Sequence, residues 1–266
     1  MIKLIVTDMD GCLLGGNNDL PPDFNEAFEL MKKNNVIFAA ASGRSIAGLK
    51  KPFGKYADSM TFITDNGARI CHEGRWIAET MLEKEDYLPM LDDIRKYTGV
   101  LPVACGETSA WVERADLITD EMTHELLKYY PSWNECSFDD IPERVMKFAL
   151  LYFDDIEKNI YPYFKKYDND RICVQVTAYV WIDIYMKEVS KGTAVGKLQS
   201  KLGISPQETV VFGDYLNDLS MADYAELSCA PANAHPAVIN RFTETIRSNI
   251  DHGVTRKIIE LLKNDL

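Results

Sequence analysis

Four short apolar runs constrain this chain more than any other feature. KLIVTD at 3–8, NVIFAAASG at 35–43, MTFITDNG at 60–67 and ETVVFGD at 208–214 each break off in small or polar residues. Uninterrupted apolar strands of this kind fit a parallel sheet covered on both faces, because a sheet with one wet face alternates apolar and polar residues instead. Between the first two runs lies FNEAFELMKKNN, in which Phe24, Ala27, Phe28 and Met31 recur at helical spacing, completing a strand-helix-strand unit. The expected class is α/β, with a doubly wound, Rossmann-like parallel sheet.

Ligands of such sheets bind beyond the carboxyl ends of the strands. The residues able to converge on one site are therefore those that end the runs: Asp8, Asp10, Ser42, Asp65, Asn66 and Asp214. Residues 190–203 read as a helix capped by Ser190 and terminated by Gly203, and its amino end, with Lys191 and Gly192, is a natural anion seat. From about residue 84 to 187 the strand-helix alternation gives way to helices and antiparallel-type strands, which marks an inserted α+β domain. Helices are expected there near 86–97, with Pro89 in the first turn, and near 119–130, with Met122, Leu126 and Tyr129 aligned. RICVQVTA at 171–178 and WIDIYMK at 181–187 read as a hairpin with one face buried. VMKFALLYF at 145–153 is a further strand, and Pro162 breaks the helical pattern of 154–167.

A chain of 266 residues, 46% hydrophobic, is long enough for a main domain with an insertion. Too few apolar residues precede Asp8 for a secretory signal, and no run approaches the roughly 18 residues of a membrane span, so a cytoplasmic place and no membrane partner are expected. A net charge of -12 without a basic stripe excludes nucleic acid as the expected partner. A phosphorylated metabolite would then have to be met by local cations, which points to a metal ion. Six scattered cysteines without a CxxC pair and four histidines without HExxH spacing supply neither a disulfide framework nor a zinc site. No heptad pattern is present, and a monomer is expected.

Asp8-Met9-Asp10-Gly11 sets two carboxylates on a turn that glycine lets bend sharply. One can attack phosphorus while the other gives and takes a proton, if their environments separate their pKa values. A lone DxDG is also an ordinary acidic turn, so the other motifs decide. Asp214 and Asp218 in GDYLND bring further carboxylates to the same rim, and such hard oxygen ligands suit Mg2+ better than zinc or copper. Asp218 fits an orienting or capping place better than direct ligation. Lys191 can neutralise both Asp8 and phosphoryl oxygens, and Ser42 and Gly43 can donate hydroxyl and backbone hydrogen bonds to the same phosphate.

The order Asp8-x-Asp10, Ser42, Lys191, GDxxND resembles the haloacid dehalogenase (HAD) superfamily, specifically its Cof-type phosphatases with an inserted C2-type cap. ASGR at 41–44, ITDNGA at 63–68, NAHPAV at 233–238 and SNIDHGV at 248–254 are similar to that family's wording. The resemblance implies an HAD-like core of residues 1–83 and 188–266 and a cap of residues 84–187 that selects substrate. It implies Asp8 as nucleophile and Asp10 as general acid and base, with Mg2+ on Asp8, Asp214 and the main-chain oxygen of Asp10. Ser42, Lys191 and Asn217 would hold the phosphate, with Asp218 behind Asp214. Two positions depart from the family pattern: Cys12 stands where threonine is common, and Tyr215 where smaller residues are frequent.

The function expected on these grounds is hydrolysis of small organic phosphate monoesters, sugar phosphates foremost by resemblance. Phosphoryl transfer to a second sugar, as in a mutase, stays open. So does a catalytically quiet protein that binds a phosphorylated metabolite, although a binder gains nothing from a paired nucleophile and acid.

Overall fold

Every residue of the first strand, β1 (Leu4–Asp8), is buried, because each face of its sheet is covered by apolar side chains. A computed structural model describes the chain except Asn18, Pro131, Asp265 and Leu266, and leaves aside the side chains of Lys128, Tyr129, Ala178 and Asn264. Along the chain β1 is followed by β2 (Ile37–Ala41), β3 (Thr61–Thr64), β4 (Arg69–His72) and β5 (Arg75–Glu79). A second unit carries β6 (Leu101–Gly106), β7 (Ala110–Val112), β8 (Trp133–Glu135), β9 (Val145–Leu151), β10 (Ile172–Ala178) and β11 (Trp181–Met186). The chain then returns through β12 (Thr209–Phe212), β13 (Leu227–Pro231) and β14 (Glu244–Ile246). The two compact units are Met1–Glu79 with Ser190–Leu266, and Thr80–Val189.

In the first unit the strands run in the order β14-β13-β12-β1-β2-β3-β4-β5. Pairing is parallel from β14 to β3 and antiparallel from β3 to β5. Ile5, Phe38, Phe62 and Phe212 pack to one face with Phe24, Phe28 and Met31 of the helix Phe24–Lys33 and Ile258 of the helix Gly253–Asn264. Leu4, Val6, Ile63 and Val211 pack to the other with Ala194, Val195 and Leu198 of the helix Lys191–Leu202. The antiparallel edge hairpin turns at Glu73 and Gly74, both with positive φ, the conformation that a two-residue hairpin loop needs. Across the hairpin Arg69 of β4 donates to its partner Glu79 of β5 at 3.0 Å and lies over the Trp76 ring.

The second unit is built on a six-stranded sheet, β10-β11-β9-β6-β7-β8, antiparallel except for β7 with β8. One face packs on Tyr87, Leu91 and Ile94, and part of the other on Met122 and Leu126. The contribution of Tyr129 expected there lies outside the described side chains. Two expectations change. The helix Lys84–Lys96 starts earlier than its apolar pattern, at a capping box formed by Glu83 and Asp86, so Pro89 falls in its second turn. The first four residues of β11 are buried, so both its faces are covered rather than one. The strand is central, and its polar Asp183 is accommodated by Lys147 at 2.7 Å.

Among the described residues no helix is long and apolar enough to cross a membrane.

The loop after β3 comes against the start of the helix Lys191–Leu202 at Gly67, which has φ 105°, and a Cβ there would lie 2.2 Å from the Ser190 carbonyl oxygen. Gly67→Ala is therefore expected to cost more than about 2 kcal/mol. The check is a urea titration, with a lowered midpoint at unchanged slope.

Candidate active site

Strand register decides what meets at the rim of the first sheet. Asp8 pairs with Ala41 of β2, and Thr7 with Phe212 of β12, so three neighbouring parallel strands end side by side, at Asp8 and just before Ser42 and Gly213. Past Asp8 the chain turns back, and the Leu14 N–H donates to the Met9 carbonyl at 2.9 Å. Gly11 makes this turn with φ 81°, and a Cβ there would lie 2.5 Å from Asp214 Oδ2. The absent side chain is what lets the two acidic loops approach each other. Asn233 braces the turn, its Nδ2 donating to the Gly11 carbonyl at 2.8 Å and its Oδ1 accepting from the Asn249 N–H at 2.9 Å. Asn249 in turn donates through Nδ2 to the Leu14 carbonyl at 2.9 Å.

Lys191 is 1% exposed. Its Nζ donates to Asp8 Oδ1 and, at 2.6 Å, to Asp218 Oδ1. Asp218 uses its second oxygen to accept the backbone N–H groups of Asp214 at 2.9 Å and Tyr215 at 3.1 Å. Oxygens of Asp8, Asp214 and Asp218 lie within 4.8 Å of one another, and Asp214 Oδ1 is buried with no hydrogen-bond partner.

This arrangement fits a divalent cation. Three carboxylates against the one ammonium that bridges Asp8 and Asp218 leave two negative charges uncompensated, and a buried acceptor without a partner is costly unless something positive meets it. An all-oxygen donor set suits Mg2+. In the protein alone protons supply part of the missing charge. Burial, reinforced by Asp218, pushes the Asp214 carboxyl up to about 7. Burial also holds Asp8 well above the usual carboxylate range, against the opposing pull of Lys191. For Lys191 burial acts downward, but Asp218 and Asp8 outweigh it, so its pKa is raised and it stays a cation.

Asp10 stands apart from this cluster. Its side chain is 47% exposed, and Arg44 grips both of its oxygens, with Nε to Oδ2 at 2.9 Å. Ser42 is buried, and its Oγ accepts the Arg44 N–H at 3.2 Å. Asn217 donates through Nδ2 to Asn66 Oδ1 at 3.0 Å, and Gly43 is half-buried nearby, against the Asn66 amide. Cys12 is buried, with Sγ 3.8 Å from Thr7 Oγ1, and Thr7 Oγ1 donates to the Asp8 carbonyl at 2.8 Å. Burial first, and Asp8 next, push the Cys12 thiol well up, so it is a neutral filler. Tyr215 is exposed, its ring edge-on to that of His235 at 5.7 Å.

Sequence reasoning assigned nothing to Arg44, Asn233 or Asn249. Each lies inside a quoted motif, and the motif wording is the signal that would have drawn attention to them.

Residues 5–258 match a family model described as haloacid dehalogenase-like hydrolase. The chain is similar to 5-amino-6-(5-phospho-D-ribitylamino)uracil phosphatase YbjI of Escherichia coli (strain K12), with 28% identity over 99% of this chain and 97% of that protein. It is also similar to a phosphatase of the same description, YcsE of Bacillus subtilis (strain 168), with 26% identity over 97% of this chain and 94% of that protein. The crystal structure of SMU.1108c from Streptococcus mutans UA159 superimposes with a TM-score of 0.89 at 25% identity, covering 99% of this chain and 100% of that one.

Removing the bridging ammonium strands buried carboxylates. Lys191→Met is expected to destabilise the fold by about 3 kcal/mol near neutral pH, and by less at pH 5, where Asp8 and Asp214, both raised by burial, take up protons. Denaturant melts at both pH values measure this, and an equal loss at each would contradict the assignment of Lys191 as the cluster's counter-charge.

Proposed function

Because the chain belongs to the haloacid dehalogenase-like hydrolases and is a phosphatase, we propose that it hydrolyses a phosphate monoester of a sugar or sugar alcohol through a phosphoaspartate on Asp8. Mg2+ would be held by Asp8, Asp214 and the Asp10 carbonyl. Asp8 carries this reading: it is 6% exposed at the end of a central strand, joined to a buried lysine, beside a carboxylate oxygen without a partner.

In the first step Asp8 attacks phosphorus, the bond from phosphorus to the ester oxygen breaks, and Asp10 gives its proton to the departing alkoxide. In the second step Asp10 takes a proton from water, whose oxygen attacks phosphorus. The bond from Asp8 to phosphorus then breaks, releasing inorganic phosphate and restoring the carboxylate. Arg44, paired with both Asp10 oxygens, is placed to hold that side chain in position. Lys191 offsets negative charge at Asp8 and on the phosphoryl group as the two approach. Ser42, Gly43 and Asn217 hold the phosphate. The bound cation supplies positive charge against the phosphoryl oxygens.

The names of two relatives support the substrate class. Both are named as phosphatases of a phosphoribitylaminouracil, an ester borne on a sugar-alcohol chain, and this supports testing such esters first among the sugar phosphates.

Phosphate release from a panel of ribityl, hexose, nucleotide and pyridoxal phosphates, with Mg2+ and with chelator, tests the reading. Asp8→Asn and chelator are each expected to lower turnover by about a thousandfold or more. Full turnover in either case would sink the mechanism.

The raised Asp214 carboxyl gives a second test. Without a cation, protonation stabilises the fold below the unfolded value of 3.8, and that contribution is lost as pH rises through about 7. A cation must displace the same proton, so its apparent affinity should weaken by up to about tenfold per pH unit below 7. The rise in Tm caused by Mg2+ is therefore expected to be larger at pH 8 than at pH 6. Equal increments would remove Asp214 from the ligand set.

A further inference from the structure

ITDNGA at 63–68 takes no part in the chemistry above, yet it holds three successive residues of positive φ. Asp65, Asn66 and Gly67 have φ of 52°, 56° and 105° in succession, a region that residues other than glycine, asparagine and aspartate seldom occupy. Backbone hydrogen bonds hold the chain there. The Asp65 N–H donates to the Arg44 carbonyl at 3.1 Å, the Asn66 N–H to the Ser42 carbonyl at 3.0 Å, and the Ser42 N–H to the Ile63 carbonyl at 3.0 Å.

This left-handed turn aims the Asn66 side chain at two pieces of the phosphate seat. Its Oδ1 accepts one hydrogen of the Asn217 amide at 3.0 Å. Its amide atoms also lie against Gly43, 3.2 Å from where a Cβ would stand. Asn66 thus joins Ser42 through its main chain to Asn217 through its side chain, two groups 175 positions apart in sequence (217 − 42). An asparagine amide held at one N–H has its plane fixed, and its second N–H then has a defined direction.

Resting on the phosphatase reading, we propose that Asn66 is a positioning residue for the phosphate seat, setting the Asn217 amide and the Ser42–Gly43 turn in register with each other. The rival explanation is that asparagine is present only because the turn needs a left-handed residue. Glycine separates the two, since it meets the backbone requirement and removes the acceptor.

The experiment is a double-mutant cycle of Asn66→Gly, Asn217→Ala and the double variant. The readouts are orthophosphate binding in the presence of Mg2+, the split of KM against kcat on a hydrolysed ester, and the melting temperature. Asn66→Gly is expected to melt with or above the wild type, to bind orthophosphate about five- to tenfold more weakly, and to raise KM by a similar factor with kcat nearly kept. The double variant is expected to bind no more weakly than Asn217→Ala alone. Wild-type orthophosphate affinity in Asn66→Gly, or losses that multiply in the double variant, would overturn the proposal. Ester turnover by the wild type is judged separately: orthophosphate bound without any hydrolysis would fail the phosphatase mechanism, while the cycle would still decide whether Asn66 positions Asn217.

Discussion

The ammonium of Lys191 lies out of water between Asp8 and Asp218, and the geometry of the rim follows from that burial. Charges withdrawn from solvent are tolerated only when each is met by partners of good geometry. Asp218 satisfies this by turning its free oxygen to the N–H groups of Asp214 and Tyr215, which fixes the loop after β12. Three separate elements, the end of β1, the start of the helix Lys191–Leu202 and the loop after β12, are thereby locked to one another by a single cation. The negative charge left over belongs to Asp8 and Asp214, so the ion triad itself determines where a second, divalent cation fits.

The same arrangement explains how one DxDG turn yields two acids of different character. Asp8 is buried and Asp10 is 47% exposed, although one residue separates them. A desolvated carboxylate near a fixed ammonium is suited to attack a phosphorus atom without carrying a shell of water. A carboxylate open to solvent exchanges protons readily, as the acid and base role proposed for Asp10 requires. Gly11 follows Asp10 with φ 81° and bends the chain there.

Local pattern was sufficient for part of this. The buried strands β1, β2, β3 and β12 are continuous apolar runs, and the helices Phe24–Lys33 and Lys191–Leu202 are marked by period and by caps, so their residues announce their own conformation. Asp8, Ser42, Lys191 and Asp214 were visible because each ends a strand or starts a helix. The contacts that brace them were not. Arg44 with Asp10, Asn233 with Gly11 and Asn66 with Asn217 are polar pairs separated by 34, 222 and 151 positions, and a single asparagine or arginine carries no periodicity. The edge hairpin of β4 and β5 was missed because its signal is one Glu-Gly pair between strands too short for a pattern. In the second unit WIDIYMK read as a strand with one face buried, and nothing near the buried Asp183 in sequence indicates that Lys147 will neutralise it.

The position of Lys191 in the chain raises a further physical question. It lies close to where the chain returns from the second unit, Thr80–Val189, with Ser190 between, so its position depends on how its own backbone is anchored. The anchors are local to the first unit. The Ser190 N–H donates to Thr193 Oγ1 at 3.0 Å while Ser190 Oγ accepts the Thr193 N–H at 3.0 Å, and the Gly192 N–H donates to Ser220 Oγ at 3.0 Å. Gly67 closes against the Ser190 carbonyl from the other side. With the first turn of the helix pinned on both flanks, the ammonium is held by the same unit that holds Asp8 and Asp218.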